Sequence, residues 1–472
     1  MNNKIEEKIE LIPDPSRIVE GLRDTGYDFN TAMADLVDNS ISAGATIIDV
    51  KVNLDSNNEI TVFVADNGCG MDFEGLKNAM TYGSKKRPDP KSLGKFGLGL
   101  KTASTAFCRS LSVLSKNESS EYNKVTWDLD YVARVNAWEL IHDKLDDDEI
   151  EYLETITDGR SGTVVIWKKV DRLMKAYVNS SSLKKAYARL VASLTQHFAM
   201  TYQKFIDKDF TVSPVEIRVN DVVIEPWDPL CRTESKREVL HDKQHKARLD
   251  TGEELPFHLK AVLLPRVEDW STSEAHSKAR INNDNEGFYV YRENRLIYSG
   301  DWLGMYTNDP HYALLRVEFS FDHTLDELFH VDIKKSKISL NEDIYEYLKN
   351  KFLPAPRQRA QDLYRATAAK KHEQNSVDKH NKSNKTIENK GKEVEDSQVE
   401  IINKDDGTVK IHNSNGSSTG KLIIVDLDEN SNHRVLTKQM ATSTFLWEGT
   451  LANQEHAVTI NTAHPFYYKI YA

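Results

Sequence analysis

Met33, Leu36, Val37 and Ile41 recur at the spacing of one helix face, which predicts a helix from about Thr31 to Ile41. TIIDVKVN (46–53) and EITVFVA (59–65) alternate as strands, with a turn at DSNN between them. LKTASTAFCRS predicts a second helix, and SLSVLS, KVTWDLD, ARVNAWEL and GTVVIWKKV predict further strands. From Ser181 the chain reads as a basic amphipathic helix. Strands follow at VEIRVNDVVIEP, LPFHLKAVLLP, GFYVYRENRLIYS and ALLRVEFSF, and 342–371 is again helical. Residues 232–256 are charged and poor in apolar groups, and predict an exposed loop. This order favours an α+β fold, helices layered on a mixed sheet, over a doubly wound one.

Composition then divides the chain. Residues 372–397 carry almost no apolar side chain, too little to offset the entropy of ordering, and predict a flexible linker. Beyond it VEIINKDDGTVKIHN predicts a hairpin around Asp405-Asp406-Gly407, and 398–472 a small β-rich module. Length suggests about three domains. They are a first domain over 1–180, a second with its connecting helices over 181–371, and the terminal module after the linker.

The 472 residues include 39% hydrophobic and 29% charged positions, the balance of a soluble globular protein. No apolar run is long enough for a membrane span, and the first residues lack a signal core. Cys69, Cys108 and Cys231 form neither a zinc pattern nor a disulfide framework. These features predict a cytoplasmic location. The net charge of −11 argues against a generally basic DNA-coating protein but leaves room for a local basic groove.

Four short stretches carry candidate chemistry. In DLVDNSISAGAT, Asp35 and Asn39 lie four apart on one helix face. An amide oxygen at Asn39 suits magnesium, and a carboxylate at Asp35 suits a general base for water beside a terminal phosphate. Alone, the pair reads more readily as a solvated helix face. In ADNGCGM, Asp66 at a strand end suits the exocyclic amine of adenine. Gly68 and Gly70 permit close backbone approach, and Met71 offers an apolar surface for the ring. A plain Asn-Gly turn is the competing reading.

SLGKFGLGLKTAS brings Gly94, Lys95, Phe96, Gly97, Leu98, Gly99, Leu100 and Lys101 to a helix start, where free N–H groups and lysines suit phosphate. The spacing is neither the P-loop nor the dinucleotide fingerprint. The preceding GSKKRPDP reads as a lid. Thr163, at the start of a strand, is a candidate for reaching adenine through water.

Taken together, in this order, the stretches resemble the GHKL superfamily of ATPases, which includes gyrase, heat-shock chaperone ATPases, histidine kinases, MutL and MORC proteins. DLVDNSISAGAT and DNGCGM are similar to MutL, and GKFGLGLKTAS to MORC. The mixture resembles MutL/MORC-like ATPases of bacterial restriction–modification or phage-defence systems. The resemblance implies a Bergerat-type ATPase α/β sandwich followed by a transducer-like α+β domain and a small C-terminal β-rich module. It implies ATP and Mg2+ as ligands, and hydrolysis to ADP and phosphate. Relatives commonly have glutamate at the position of Asp35, and aspartate is shorter by about 1.5 Å.

In HVDIKKSKISL (330–340) the resemblance implies a lysine delivered to the terminal phosphate, Lys337 first and Lys335 second. It further implies a homodimer closing through its N-terminal domains, and action on DNA with nuclease or methyltransferase partners. A chaperone-type ATPase and a very slow ATP-binding scaffold are the alternatives. The histidine-kinase branch fits less well, because no phosphoacceptor helix pair precedes the domain.

Overall fold

The structure, a computed structural model, describes residues 13–24, 26–83, 91–93, 99–174, 180–248, 252–326, 329–331, 338–390, 398–413, 415–426, 433–440 and 444–471. The chain forms two compact units, Met1–Ala360 and Gln361–Ala472.

The first unit starts with helices α1 (Pro15–Arg23) and α2 (Phe29–Ser42). Asp28 sets the start of α2 by accepting the Thr31 N–H at 3.0 Å. Gly44, at φ +75°, supplies the left-handed residue that ends it. Strands β1 (Ile47–Leu54) and β2 (Ile60–Asp66) follow, then helices α3 (Phe73–Ala79) and α4 (Gly99–Thr105). Next come β3 (Cys108–Lys116), β4 (Asn123–Asp128), α5 (Leu129–Val135), β5 (Ile141–His142), α6 (Asp147–Thr157) and β6 (Gly162–Val170). Helices α7 (Ser180–Thr201) and α8 (Gln203–Ile206) lead to β7 (Glu216–Val219) and β8 (Val222–Val223).

These strands form one sheet in the order β5-β4-β3-β6-β2-β1-β7-β8. All neighbours are antiparallel except β1 and β7. Ala32, Met33, Leu36 and Val37 of α2 pack on one face with Leu194 and Phe198 of α7 and with Tyr202 just after it, all at most 2% exposed. Burial of this apolar layer stabilises the sheet by roughly 25 cal/mol per Å2 of apolar area removed from water. Leu153 and Ile156 of α6 cover Ala65, Leu114, Val164 and Ile166 on the other face.

The sheet thus runs past residue 180. Glu216 N–H donates to Thr46 C=O at 2.8 Å, so the segment placed by sequence in the second domain satisfies the edge of β1. ARVNAWEL is not a strand: α5 runs to Val135, and Asn136 turns the chain at φ +49°.

A second sheet has the order β12-β11-β13-β10-β9. Its strands are β9 (Glu238–Arg248), β10 (Glu254–Leu263), β11 (Gly287–Arg292), β12 (Arg295–Asp301) and β13 (Leu315–Phe321), with α9 (Ser273–Lys278) between β10 and β11. The loop expected at 232–256 is therefore largely strand. As an edge strand β9 keeps mostly exposed side chains, which is why it reads as polar. A short hairpin, β14 (Phe329–Val331) and β15 (Ile338–Leu340), precedes α10 (Glu342–Tyr347), a π-helical stretch Leu348–Phe352 and α11 (Pro354–Lys390).

Helix α11 also corrects the expected linker, since residues 372–390 are helical; 391–397 lie outside the described residues. Its anchors in the second unit are polar, so hydropathy hid them. His380 stacks on Tyr467 and Tyr471, and Asn384 Oδ1 accepts the Arg434 and Val435 N–H groups. The rest of that unit is the expected β-rich module. It has a three-stranded sheet of β16 (Gln398–Asn403), β17 (Thr408–Asn413) and β18 (Gly416–Lys421). A four-stranded sheet holds β19 (Ile423–Val425), β20 (Val435–Lys438), β21 (Trp447–Ala452) and β22 (Glu455–Asn461). Among the described residues no helix is long and apolar enough to cross a membrane.

Candidate nucleotide site

Helix α2 and the end of β2 meet at one hydrogen bond: Ser40 Oγ donates to Asp66 Oδ2 at 2.7 Å. Gly68 N–H donates to the other carboxylate oxygen at 2.9 Å. Burial raises the Asp66 carboxyl to about 6, and these two donors moderate the rise. No cation pairs with Asp66 among the described residues. Thr163 on β6 is its register partner, and the Thr163 hydroxyl is 2.8 Å from that of Ser115. Ser115 Oγ also accepts the Met71 N–H at 2.9 Å. The structure therefore brings Asp66, Met71 and Thr163 together at the same ends of β2, β3 and β6.

The glycines beside Asp66 have definite packing reasons. A Cβ at Gly68 would lie 2.8 Å from Ala43 Cβ at the end of α2. One at Gly70, whose φ is +61°, would lie 1.9 Å from the Lys116 carbonyl oxygen. Both let the loop close against its own scaffold.

Asp35 is buried on α2 and accepts from the Tyr27 hydroxyl at 3.0 Å. Asn39, one turn on, is half-buried. Gly99 starts α4 against this carboxylate, with its missing Cβ position 3.6 Å from Asp35 Oδ2. So the helix-start segment and the α2 acid, separated by some sixty residues, do meet. Leu100 is half-buried. Lys101 is 1% exposed, with its amine 4.5 Å from the Tyr82 ring and 3.5 Å from the Ala79 carbonyl oxygen. Burial lowers that amine to about 7. Gly94, Lys95, Phe96, Gly97 and Leu98 lie outside the described residues, as do Lys335 and Lys337 and residues 84–90 of the expected lid.

Three buried residues that the sequence reading did not single out complete the back of α2. Arg295 Nε donates to Asp38 Oδ1 at 2.7 Å, and the Tyr202 hydroxyl is 2.8 Å from the same oxygen. Burial works against the Arg295 charge, but Asp38, with smaller contributions from Tyr202 and Asp35, outweighs it and holds the guanidinium charged. The one local hint was a second acid in DLVD; its partner is 257 positions away.

Residues 27–163 match the family model of the histidine kinase-, DNA gyrase B- and HSP90-like ATPases. The chain is 30% identical over 90 residues to Protein MICRORCHIDIA 1 of Arabidopsis thaliana, covering 18% of this chain and 14% of that one. It is 31% identical over 93 residues to ATPase MORC2B of Mus musculus, covering 19% and 9%. The chain thus spans only a small part of these relatives. A solved structure described as the N-terminal domain of a DNA repair protein is 15% identical with a TM-score of 0.42, covering 75% of this chain and 98% of that one. Residues 27–163 thus match a GHKL-type ATPase domain, and MORC proteins are among those the chain is similar to.

Proposed function

We propose that this chain binds and hydrolyses ATP at the site formed by α2, the end of β2 and the start of α4. The observation that carries the reading is Asp66. Among the described residues only two neutral donors, Ser40 Oγ and Gly68 N–H, and no cation meet this buried carboxylate; each of its oxygens can accept a further hydrogen bond, and the exocyclic amine of adenine is such a donor. Thr163 and Met71 line the same end of the sheet. Asp35 orients and deprotonates the attacking water. The amide oxygen of Asn39, one turn on from Asp35, suits a hard cation, and Asn39 is the ligand assigned to Mg2+. Mg2+ supplies charge neutralisation at the phosphates. The segment ending at Gly99 and Lys101 receives the phosphates, and Lys337, or else Lys335, stabilises the charge at the terminal one.

In this reading ATP closes a homodimer through its N-terminal domains into a clamp on DNA, and hydrolysis reopens it. Nuclease or methyltransferase partners in restriction or phage defence, and a cytoplasmic setting, belong to the same proposal. Of the basic side chains suited to phosphate, Lys184, Lys185 and Arg189 are exposed on α7. Arg359, also exposed, pairs with Glu238, and the Arg357 guanidinium lies 3.5 Å from the centre of the Tyr312 ring.

The test is phosphate release with and without long duplex DNA over a salt series. Stimulation that fades steeply as salt rises supports the clamp. Turnover indifferent to DNA at every salt favours a protein client. No turnover at all, with ATP still bound, favours the scaffold.

A further inference from the structure

The turn between β11 and β12 is two residues long, with Glu293 at φ +48° and Asn294 at φ +67°. Both positive angles belong to the tight hairpin turn that matches strand twist. Flanking it, Arg292 and Arg295 are register partners. They nevertheless reach in different directions. Arg295 enters the first sheet's helical layer and binds Asp38 on α2. Arg292 binds Asp326 with two parallel hydrogen bonds, at 2.6 and 2.8 Å. Glu293 Oε1 accepts the His323 N–H at 3.1 Å and lies 2.6 Å from its ring Nδ1. His323 and Asp326 both lie on the connection from β13 to β14.

Three residues within this four-residue stretch, Arg292, Glu293 and Arg295, therefore hold α2, the helix with Asp35 and Asn39, and the β13–β14 connection at the same time. Arg295 and Asp38 are almost fully buried. A buried ion pair is rarely the most stable way to fill such a space, because apolar side chains of similar volume do as well or better. What it fixes is direction. A planar guanidinium bound to a carboxylate locks the rotation of α2, whereas apolar packing tolerates slippage.

We infer that Arg295 is a positioning residue for the nucleotide helix, and that the Arg292–Arg295 turn couples the setting of α2 to the β13–β14 connection. This rests on the ATP reading above. Nucleotide that shifts α2 is felt at 322–326 through this turn, and the turn in return holds the Asp35 carboxylate in register with bound phosphate.

Arg295→Met alone leaves the Asp38 charge buried and unpaired, so the decisive variant pairs Arg295→Met with Asp38→Asn. With melting close to wild type, it keeps the KM for ATP within about threefold while kcat falls roughly 10- to 100-fold. Arg295→Lys, which retains a charge toward Asp38, recovers part of the rate. In wild type, a non-hydrolysable ATP analogue changes hydrogen exchange over 287–301 and 322–326; in the double variant the change at 322–326 disappears. A folded double variant with wild-type kcat overturns the inference. So does analogue that binds wild type, by calorimetry, yet leaves exchange in both segments unaltered; the ATP reading survives that result. Failure of wild type to bind the analogue removes the ATP reading, and this inference with it.

Discussion

Ser40 on α2 donates its hydroxyl proton to Asp66 at the end of β2, and this 2.7 Å contact fixes the strand-end carboxylate to the helix that carries Asp35 and Asn39. The bond favours the ionised form against a burial that raises the group to about 6. In the proposed site an ionised Asp66 is the acceptor for the adenine amine, so ATP affinity is expected to fall as pH drops through about 6. Asp66→Asn weakens binding and flattens that pH profile. Ser40→Ala moves the inflection upward. Binding titrations from pH 5 to 8 read all three, and a wild-type profile without an inflection near 6 contradicts the assignment.

The same carboxyl has the opposite sign in folding. Its folded value, about 6, exceeds the ordinary 3.8, so the native state holds more protons between those values. Its contribution to stability is complete below 3.8 and is lost as pH rises through about 6. Wild type minus Asp66→Asn, compared by chemical denaturation across this range, isolates the slope.

Asp35→Asn is expected to bind ATP normally and to lose turnover by roughly 100- to 10,000-fold, the usual contribution of a general base. Asp35→Glu lengthens the side chain by one C–C bond, bringing the carboxylate nearer the terminal phosphate of the proposed site, and is expected to raise kcat. Single-turnover phosphate release checks both. Unchanged release by Asp35→Asn removes Asp35 as the base.

Lys101 makes a separate prediction. Burial lowers its amine to about 7, so the unfolded chain binds more protons between 7 and 10.5, and this group's cost to folding is relieved as pH rises across that range. Lys101→Met, which removes the charge but keeps the packing, should raise the melting temperature at pH 7 and weaken ATP more than adenosine. Equal loss for the two ligands separates Lys101 from the phosphates.

The glycines differ sharply. Gly70→Ala forces a Cβ to 1.9 Å from the Lys116 carbonyl oxygen at a left-handed φ, and is expected to cost more than about 2 kcal/mol. Gly99→Ala meets Asp35 Oδ2 at an ordinary 3.6 Å and should change stability by less than about 1 kcal/mol. Urea denaturation of the two variants distinguishes them.

The parts legible in the sequence are those whose signal is local. The apolar stripe of α2, the acid and glycines after β2 and the start of β6 each announce themselves within a few residues, and β-sheet register then sets Thr163 opposite Asp66. What pairwise distance along the chain conceals was not legible. The Asp38–Arg295 contact spans 257 positions, and β7 completes the first sheet only after α7 has crossed its face. Polar anchoring was equally hidden. His380 and Asn384 tie α11 to the β-rich module, yet their surroundings have the composition of a linker. Edge strand β9 looked like a loop for the same reason.

The most direct measurement is a calorimetric titration of the purified, folded chain with Mg·ATP and, in parallel, Mg·GTP. One site per chain that accepts ATP, discriminates strongly against GTP and loses this preference in Asp66→Asn is the predicted result. No heat and no saturable binding with ATP, or equal affinity for the two nucleotides, would contradict it.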